Sequence, residues 1–416
     1  MKHAKFLTIS LLSLIISLNS SHLKAMEEDE SPDKSQTLRT HPNLKRIKKL
    51  RKLLDSTGLD GIIVPHNDEY QNEELPESSK RLEWLTGFTG SAGTAVITKE
   101  LSIIFVDGRY TNQAKLQVPD DFEVNGGQSW LPWLKENMRG KVVGYDPSLL
   151  LSKDYDSEGL MGILTLKATN ENLIDKIWGT KKPSPSGNPI TVYDLNFSGE
   201  DANKKIAKVS QQLKDQNIDA AFILDLDSIA WLLNIRGTDL PYTPVVLSSL
   251  LLKKDGTSHL FTIPRKHSSE TTQHLKSLNV TLSEPNQLSK ILQTLNGQRV
   301  IVDKNKASVK LVTLLNENNA KVLQQEDPSW LFRAKKNPVE LENMEIAHVC
   351  DGIALCEFLA WFDRNANNKD NPLTERSASE KLHEFRQKVT YKGKKFFGSE
   401  SFPTISAFGS NAAITP

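Results

Sequence analysis

The chain is 416 residues long, 38% hydrophobic and 25% charged. That composition suits a soluble globular protein of about two to three domains and excludes wholesale disorder. Basic and acidic residues number 52 and 51, for a formal net charge of +1, so the basic surplus of a nucleic-acid binder is missing and no such partner is expected.

At the N-terminus Lys2, His3 and Lys5 precede an apolar run over residues 6–18, and Ala25 offers a small exit residue. The pattern predicts a signal peptide over residues 1–25 and an exported, periplasmic or secreted, destination. The apolar run is shorter than the ~20 residues of a bilayer span, so no stable membrane span is expected. Residues 26–40 are acidic, polar and without periodicity, and are expected to form a disordered lead-in.

A first domain is expected over residues 41–180. It opens with an amphipathic helix at 43–54 and a strand at 61–64. Lys45, Lys48, Lys49, Arg51 and Lys52 read as that helix's solvated face, not a binding patch. Residues 81–110 are the most informative stretch, combining a helix end, a glycine-rich turn and two apolar, β-branched runs (93–98 and 102–106). A turn at Asp107 and Gly108 closes the unit. The glycines at 87, 90 and 93 lack both the Lys-Ser/Thr of a phosphate loop and GxGxxG spacing, so they read as a strand-entry turn. Ser91 stands outside a GxSxG elbow and is not expected to be a nucleophile. Another strand is expected at 141–145. Residues 181–189, with Pro183, Pro185, Gly187 and Pro189, form a linker.

The same grammar returns in a second domain, expected over residues 190–327. Leu59-Asp60-Gly61, Trp84-Leu85, Gly87 and Asp107-Gly108 are echoed in order by Ile218-Asp219-Ala220, Trp231-Leu232, Gly237 and Asp255-Gly256. A spacing of roughly 150 residues points to a duplicated domain, not a solenoid. Strands alternating with helices give an α/β class. Asp225, Asp227 and Asp239 look like paired carboxylates but read as turn and cap residues.

A third segment is expected over residues 333–416. Asn337 can cap a helix, with Pro338 at its first position and Glu340 reaching back. Leu341, Met344, Leu355, Phe358, Leu359 and Phe362 mark the expected buried stripe of that helix. A second helix at 374–389 is expected to bury Leu382, Phe385 and Val389. Cys350 and Cys356 sit six residues apart on the first helix, a rise of about 9 Å. That is too far for a disulfide, so two packed free thiols are expected. None of the nine histidines falls in HExxH or an Asp-x-His cluster, and helical His348 and His383 are not expected to be ligands.

With these residues placed, the chain resembles the Xaa-Pro aminopeptidases (aminopeptidase P) of the longer, three-domain type. The blocks that carry the resemblance are RLEWLTGFTGSAGTAVIT at 81–98, DGRY at 107–110 and LDSIAWLLNIRGTDLPYTPV at 226–245. Further blocks lie at 334–363 and 400–414. The resemblance implies two creatinase-type N-terminal α/β domains, then the incomplete start of a pita-bread α+β domain. It also implies peptide substrates with proline at the second position, whose scissile bond lacks an N–H and resists general aminopeptidases. In the family the last domain holds two manganese ions on two aspartates, a histidine and two glutamates, a pair that activates a bridging hydroxide.

The family places all five ligands beyond the segment resembling 401–414. The resemblance therefore implies a chain truncated before its metal site, with no catalytic or metal residue of its own and no activity alone. Arg109 is the one candidate substrate-binding residue. It either closes a local salt bridge at its turn or reaches the peptide site of the neighbouring catalytic domain. A non-catalytic peptide-binding or dimer-forming module is the alternative function, and a homodimer is among the expected states. A shortened prolidase or creatinase fits less well, because those relatives carry a single N-terminal domain.

Overall fold

The structure, a computed structural model, describes residues 42–155, 160, 162–265 and 267–414. The expected leader and acidic lead-in lie outside the described residues.

The first sheet contains β1 (Gly61–Pro65), β2 (Gly93–Thr98), β3 (Ser102–Val106), β4 (Phe122–Gly126), β5 (Val142–Tyr145) and β6 (Thr165–Ala168). Their spatial order is β4-β3-β2-β1-β5-β6. The β1–β2 and β2–β3 pairs are antiparallel, and the β3–β4, β1–β5 and β5–β6 pairs are parallel. Successive side chains of a strand point to opposite faces. Accordingly Ile62, Val64, Ala95 and Ile97 enter one core with Ile47, Leu50 and Leu54 of helix α1 (Pro42–Thr57), while Ile63, Val96 and Val143 enter a second core with Leu134. Burial on both faces explains why these strands are near-continuous apolar runs and not alternating ones. Helices α2 (Arg81–Thr86), α3 (Thr111–Gln117) and α4 (Leu173–Trp178) belong to this half, as does the helix Trp130–Asn137 that carries Leu134.

The second half contains β7 (Thr191–Val192), β8 (Ala220–Ile223), β9 (Ile235–Arg236), β10 (Ser248–Lys253), β11 (Ser258–Thr262), β12 (Val280–Ser283), β13 (Arg299–Val302) and β14 (Lys321–Gln324). Its main sheet runs β12-β11-β10-β8-β13-β14. Its pairings repeat those of the first sheet in order and direction. The internal repeat read in the sequence is therefore a repeat of topology. A short helix α5 (Leu195–Ser198) leads into α6 (Ala202–Asp215), which with α7 (Leu226–Leu233) packs on this sheet.

A strap over residues 66–76 ties the halves together. Tyr70 packs against the second half's core, and Lys306 Nζ donates to the Gln71 carbonyl at 3.3 Å. Asp68 anchors the strap, accepting from the backbone N–H of Tyr70 and Asn72 at 3.0 Å and from Asn72 Nδ2 at 2.7 Å. It is fully buried. Burial pushes its carboxyl up to about 6, outweighing the hydrogen bonds that favour the charge. The folded protein thus holds this proton more tightly than the unfolded chain, so the group stabilises the fold as pH falls through about 6 and opposes it above. Asp68→Asn fixes the neutral form, and Asn72 can turn its amide to offer oxygen. The variant is expected to gain on wild type between about pH 4.5 and pH 7, read from paired urea midpoints. An unchanged difference at the two pH values would remove Asp68 as the titrating group.

The third segment begins with α8 (Trp330–Ala334), followed by α9 (Pro338–Asn365) and α10 (Glu375–Lys388). A small hairpin, β15 (Thr390–Tyr391) with β16 (Lys394–Lys395), comes next. The expected buried stripe of α9 needs correction. Phe358 and Ala354 are buried against Leu382 and Ala378 of α10, and Leu355 and Phe362 are half-buried. Leu341, Met344 and Leu359 are exposed by 51%, 46% and 39%. For Leu341 and Met344 the reason is length, since α10 covers only the half of α9 around residues 354–362; Leu359 lies within that half but outside the cluster that meets α10. Among the described residues no helix is long and apolar enough to cross a membrane.

Candidate functional site

Strand pairing fixes where the conspicuous loops meet. Pro65 pairs with Thr94 and Gly93 with Val106, so the end of β1, the start of β2 and the end of β3 share one edge of the first sheet. The strap, the turn at 87–92 and the Asp107–Tyr110 corner therefore converge there. Gly87 ends α2 in the left-handed region at φ 88. Thr89 is pinned to α3 through Gln117 Oε1 (2.9 Å), Gln117 Nε2 (2.8 Å) and Gln113 Nε2 (3.0 Å). Beneath the turn Phe88 is fully buried and meets Tyr110 edge-on at 5.8 Å.

On this edge Ser91 Oγ donates to Glu73 Oε1 at 3.1 Å and lies 3.0 Å from the Tyr110 hydroxyl. Ser91 has one proton, directed at Glu73, so Tyr110 is the donor in the second contact. The His66 ring reaches the Glu73 carbonyl at 3.0 Å, and burial lowers its pKa. Arg109 is exposed, its Nε donating to Asp107 Oδ1 at 2.9 Å, its guanidinium 5.6 Å from the Tyr110 ring centre. The Arg109 partner holds the Asp107 carboxyl below its usual range.

Arg109 therefore makes the local salt bridge at its turn, with its outer face open to solvent. An exposed guanidinium can take a carboxylate in two-pronged fashion. Ser91 is no activated nucleophile here, since its partners are a carboxylate and a phenol and the nearby His66 ring bonds the Glu73 carbonyl instead. Glu73, Tyr110 and His66 were missed in the sequence. Glu73 lies in a polar stretch without periodicity, and only the β1–β2 register reveals that it faces Ser91.

The aspartates of the second half separate into different roles. Asp225 caps α7 by accepting from Asp227 N–H, and both pair with Arg333, at 2.8 and 3.3 Å. Asp239 departs from the expected turn or cap role. Its side chain is fully buried in an ion pair with Arg265 at 2.8 Å. Cys350 and Cys356 are free thiols, but the expected packing is corrected: Cys350 is half-buried and Cys356 is exposed. His383 lies 3.3 Å from Glu400. Among the described residues no three His, Cys, Asp or Glu side chains converge to hold a metal ion. These residues do not fit the two-metal centre the resemblance implies, and no chemistry is derived through one.

The family pattern described as the Creatinase/Prolidase N-terminal domain matches residues 46–158, and a second with the same description matches residues 181–340. A probable Xaa-Pro aminopeptidase P of Pyricularia oryzae is 34% identical over 392 residues, covering 89% of this chain and 62% of the relative. The chain belongs to the aminopeptidase P family. Another family member, the Xaa-Pro aminopeptidase ApepP of Drosophila melanogaster, is 35% identical over 375 residues, covering 86% of this chain and 59% of the relative. The chain thus spans about three fifths of the length of the curated relatives it matches.

In fold it is similar to the X-prolyl aminopeptidase of Caenorhabditis elegans, a cytosolic enzyme with a di-nuclear active site. That likeness has a TM-score of 0.78 at 24% identity and covers 89% of this chain and 65% of that one. The cytosolic setting of that structural relative overturns the export expected from residues 1–25.

Proposed function

We propose that this chain supplies the paired creatinase-type domains of an Xaa-Pro aminopeptidase, and that it does not hydrolyse peptides by itself. The observation that carries this reading is two sheets of one topology, in family order, in a chain without a convergent metal-ligand set among its described residues. In this reading the part of the relatives that the chain does not span carries two manganese ions and the bond-breaking step. The Arg109 edge meets the peptide, its guanidinium recognising a carboxylate. The substrates are peptides with proline second, whose tertiary amide requires a dedicated enzyme.

A second reading, a non-catalytic peptide-binding or dimer-forming module, is favoured by the exposed Leu341, Met344, Val349, Ile353 and Leu359 of α9. One experiment addresses both. The purified chain, with manganese added, is incubated with an Xaa-Pro peptide beside an intact family member, while metal content and light-scattering mass are measured. No cleavage above the metal-only blank, substoichiometric metal and a monomeric mass are expected. Turnover with bound metal would overturn the proposal, and a stable dimer would favour the second reading.

A further inference from the structure

We propose that the junction between the second sheet domain and α9 is a rigid joint closed by Gly199 and Glu340, and not a hinge. Gly199 ends α5 in the left-handed region at φ 65. A Cβ there would lie 2.7 Å from Val339 Cβ and closer still to Asn337 Oδ1. Any larger residue must therefore push the first turn of α9 away. Only a bare backbone lets the two elements meet this closely.

Across that contact the hydrogen bonds are shared between the helix cap and the domain. Asn337 Oδ1 accepts from Val339 and Glu340 N–H, both at 3.0 Å, while its Nδ2 donates to the Ser198 carbonyl at 2.8 Å. Glu340 Oε2 accepts from Asn337 N–H at 2.9 Å, and its Oε1 accepts from Trp231 Nε1 at 3.2 Å. The capping box that starts α9 is thus the same set of groups that docks it.

Trp231 is held from its other side. Lys205, fully buried, places Nζ 4.5 Å from the indole centre and donates to the Trp231 carbonyl (3.0 Å) and Asn234 Oδ1 (2.8 Å). The indole is clamped between an ammonium on its face and a carboxylate at its N–H. Arg333 of α8 adds its pair with Asp225, and Asn343 Nδ2 reaches the Asn196 carbonyl at 3.0 Å. A hinge concentrates its motion in a few unrestrained residues. Here the residues on either side of Lys335 and Lys336 are tied to the domain, so α9 leaves the second sheet in one direction. On the function proposed above, this joint sets the distance from α9 to the Arg109 edge. The joint itself does not depend on that function.

Arg333, Lys335 and Lys336 are trypsin targets inside the joint, and the two lysines are exposed. The test is limited trypsinolysis of the full chain. Gly199→Ala and Glu340→Ala are compared with wild type and with Gly297→Ala. Gly297 also has positive φ, at 73, but a Cβ there meets nothing within 4 Å, so it carries the backbone strain without the clash. Cleavage after Lys335 or Lys336 is expected to accelerate roughly five- to tenfold in both joint variants, the scale of a lost helix cap. Glu340→Gln, which keeps an acceptor for Trp231, should fall between wild type and Glu340→Ala. If neither joint variant exceeds Gly297→Ala by twofold, or if new cuts spread evenly over the second domain, the joint is not closed by these groups. Should Gly199→Ala fail to fold, Glu340→Ala decides alone.

Discussion

Phe88→Ala is expected to cost the first sheet domain about 3–5 kcal/mol, among the largest effects of a single truncation in this chain. Phe88 is fully buried, and the glycine-rich turn is wrapped around it. A Cβ at Gly93 would come 3.0 Å from Phe88 Cε1, and one at Gly90 would come 2.8 Å from Phe88 Cε2. The ring therefore fills the space that those glycines leave, and its removal opens a cavity beneath the turn. Such a cavity costs both the transfer term and the lost contacts, because the sheet behind the turn cannot collapse into it. The edge contact with Tyr110 is lost as well. Tyr110 leans edge-on against the ring and also meets Ser91 at 3.0 Å, so that contact should loosen with it. Urea unfolding monitors the stability loss, and hydrogen exchange at residues 87–92 monitors the turn. A loss below about 1 kcal/mol would mean that Phe88 is not the turn's support.

Local patterns revealed the central elements of each sheet and missed strands nearer the sheet margins such as Phe122–Gly126 and Lys321–Gln324, and long-range chemistry was hidden from them. Strands at 93–98 and 102–106, and the capped start at Asn337, follow from β-branched runs, turn residues and a capping box, all readable within a few positions. The duplication was readable too, because the same punctuation recurs. The contacts that hold the domains were not. Arg81, almost wholly buried, donates to Asp175 at 2.8 Å across 94 positions, and a basic residue at a helix start gives no local sign of that fate. Leu341 and Met344 failed for the opposite reason. Their spacing announces an apolar face, but spacing cannot say whether anything covers it. The Arg109 edge was half visible: DGRY marked the corner, while Glu73 and His66 joined it only through strand register.

Asp239→Ala should destabilise the second sheet domain by about 3–5 kcal/mol, because it strands a buried cation. The Asp239 and Arg265 side chains are 0% and 1% exposed, and their charges meet at 2.8 Å. The carboxylate also accepts from Ser186 Oγ at 2.7 Å and Leu247 N–H at 2.8 Å, and Arg265 Nη1 reaches the Asn188 carbonyl at 2.8 Å. One ion pair therefore gathers the proline-rich linker, the chain entering β10 and the chain leaving β11. Removing the carboxylate leaves the guanidinium desolvated with only carbonyl partners, and the Leu247 N–H with none of comparable strength. The pair itself need not be strongly favourable. What is costly is breaking one half of it, so replacing both side chains by apolar ones should recover much of the loss. Urea unfolding of Asp239→Ala, Arg265→Met and the double variant forms a cycle that separates the two contributions. Strictly additive effects would show that the two charges do not depend on each other, and the linker would then have to be held by contacts outside the pair, such as Asn188 Nδ2 on the Thr238 carbonyl at 2.9 Å.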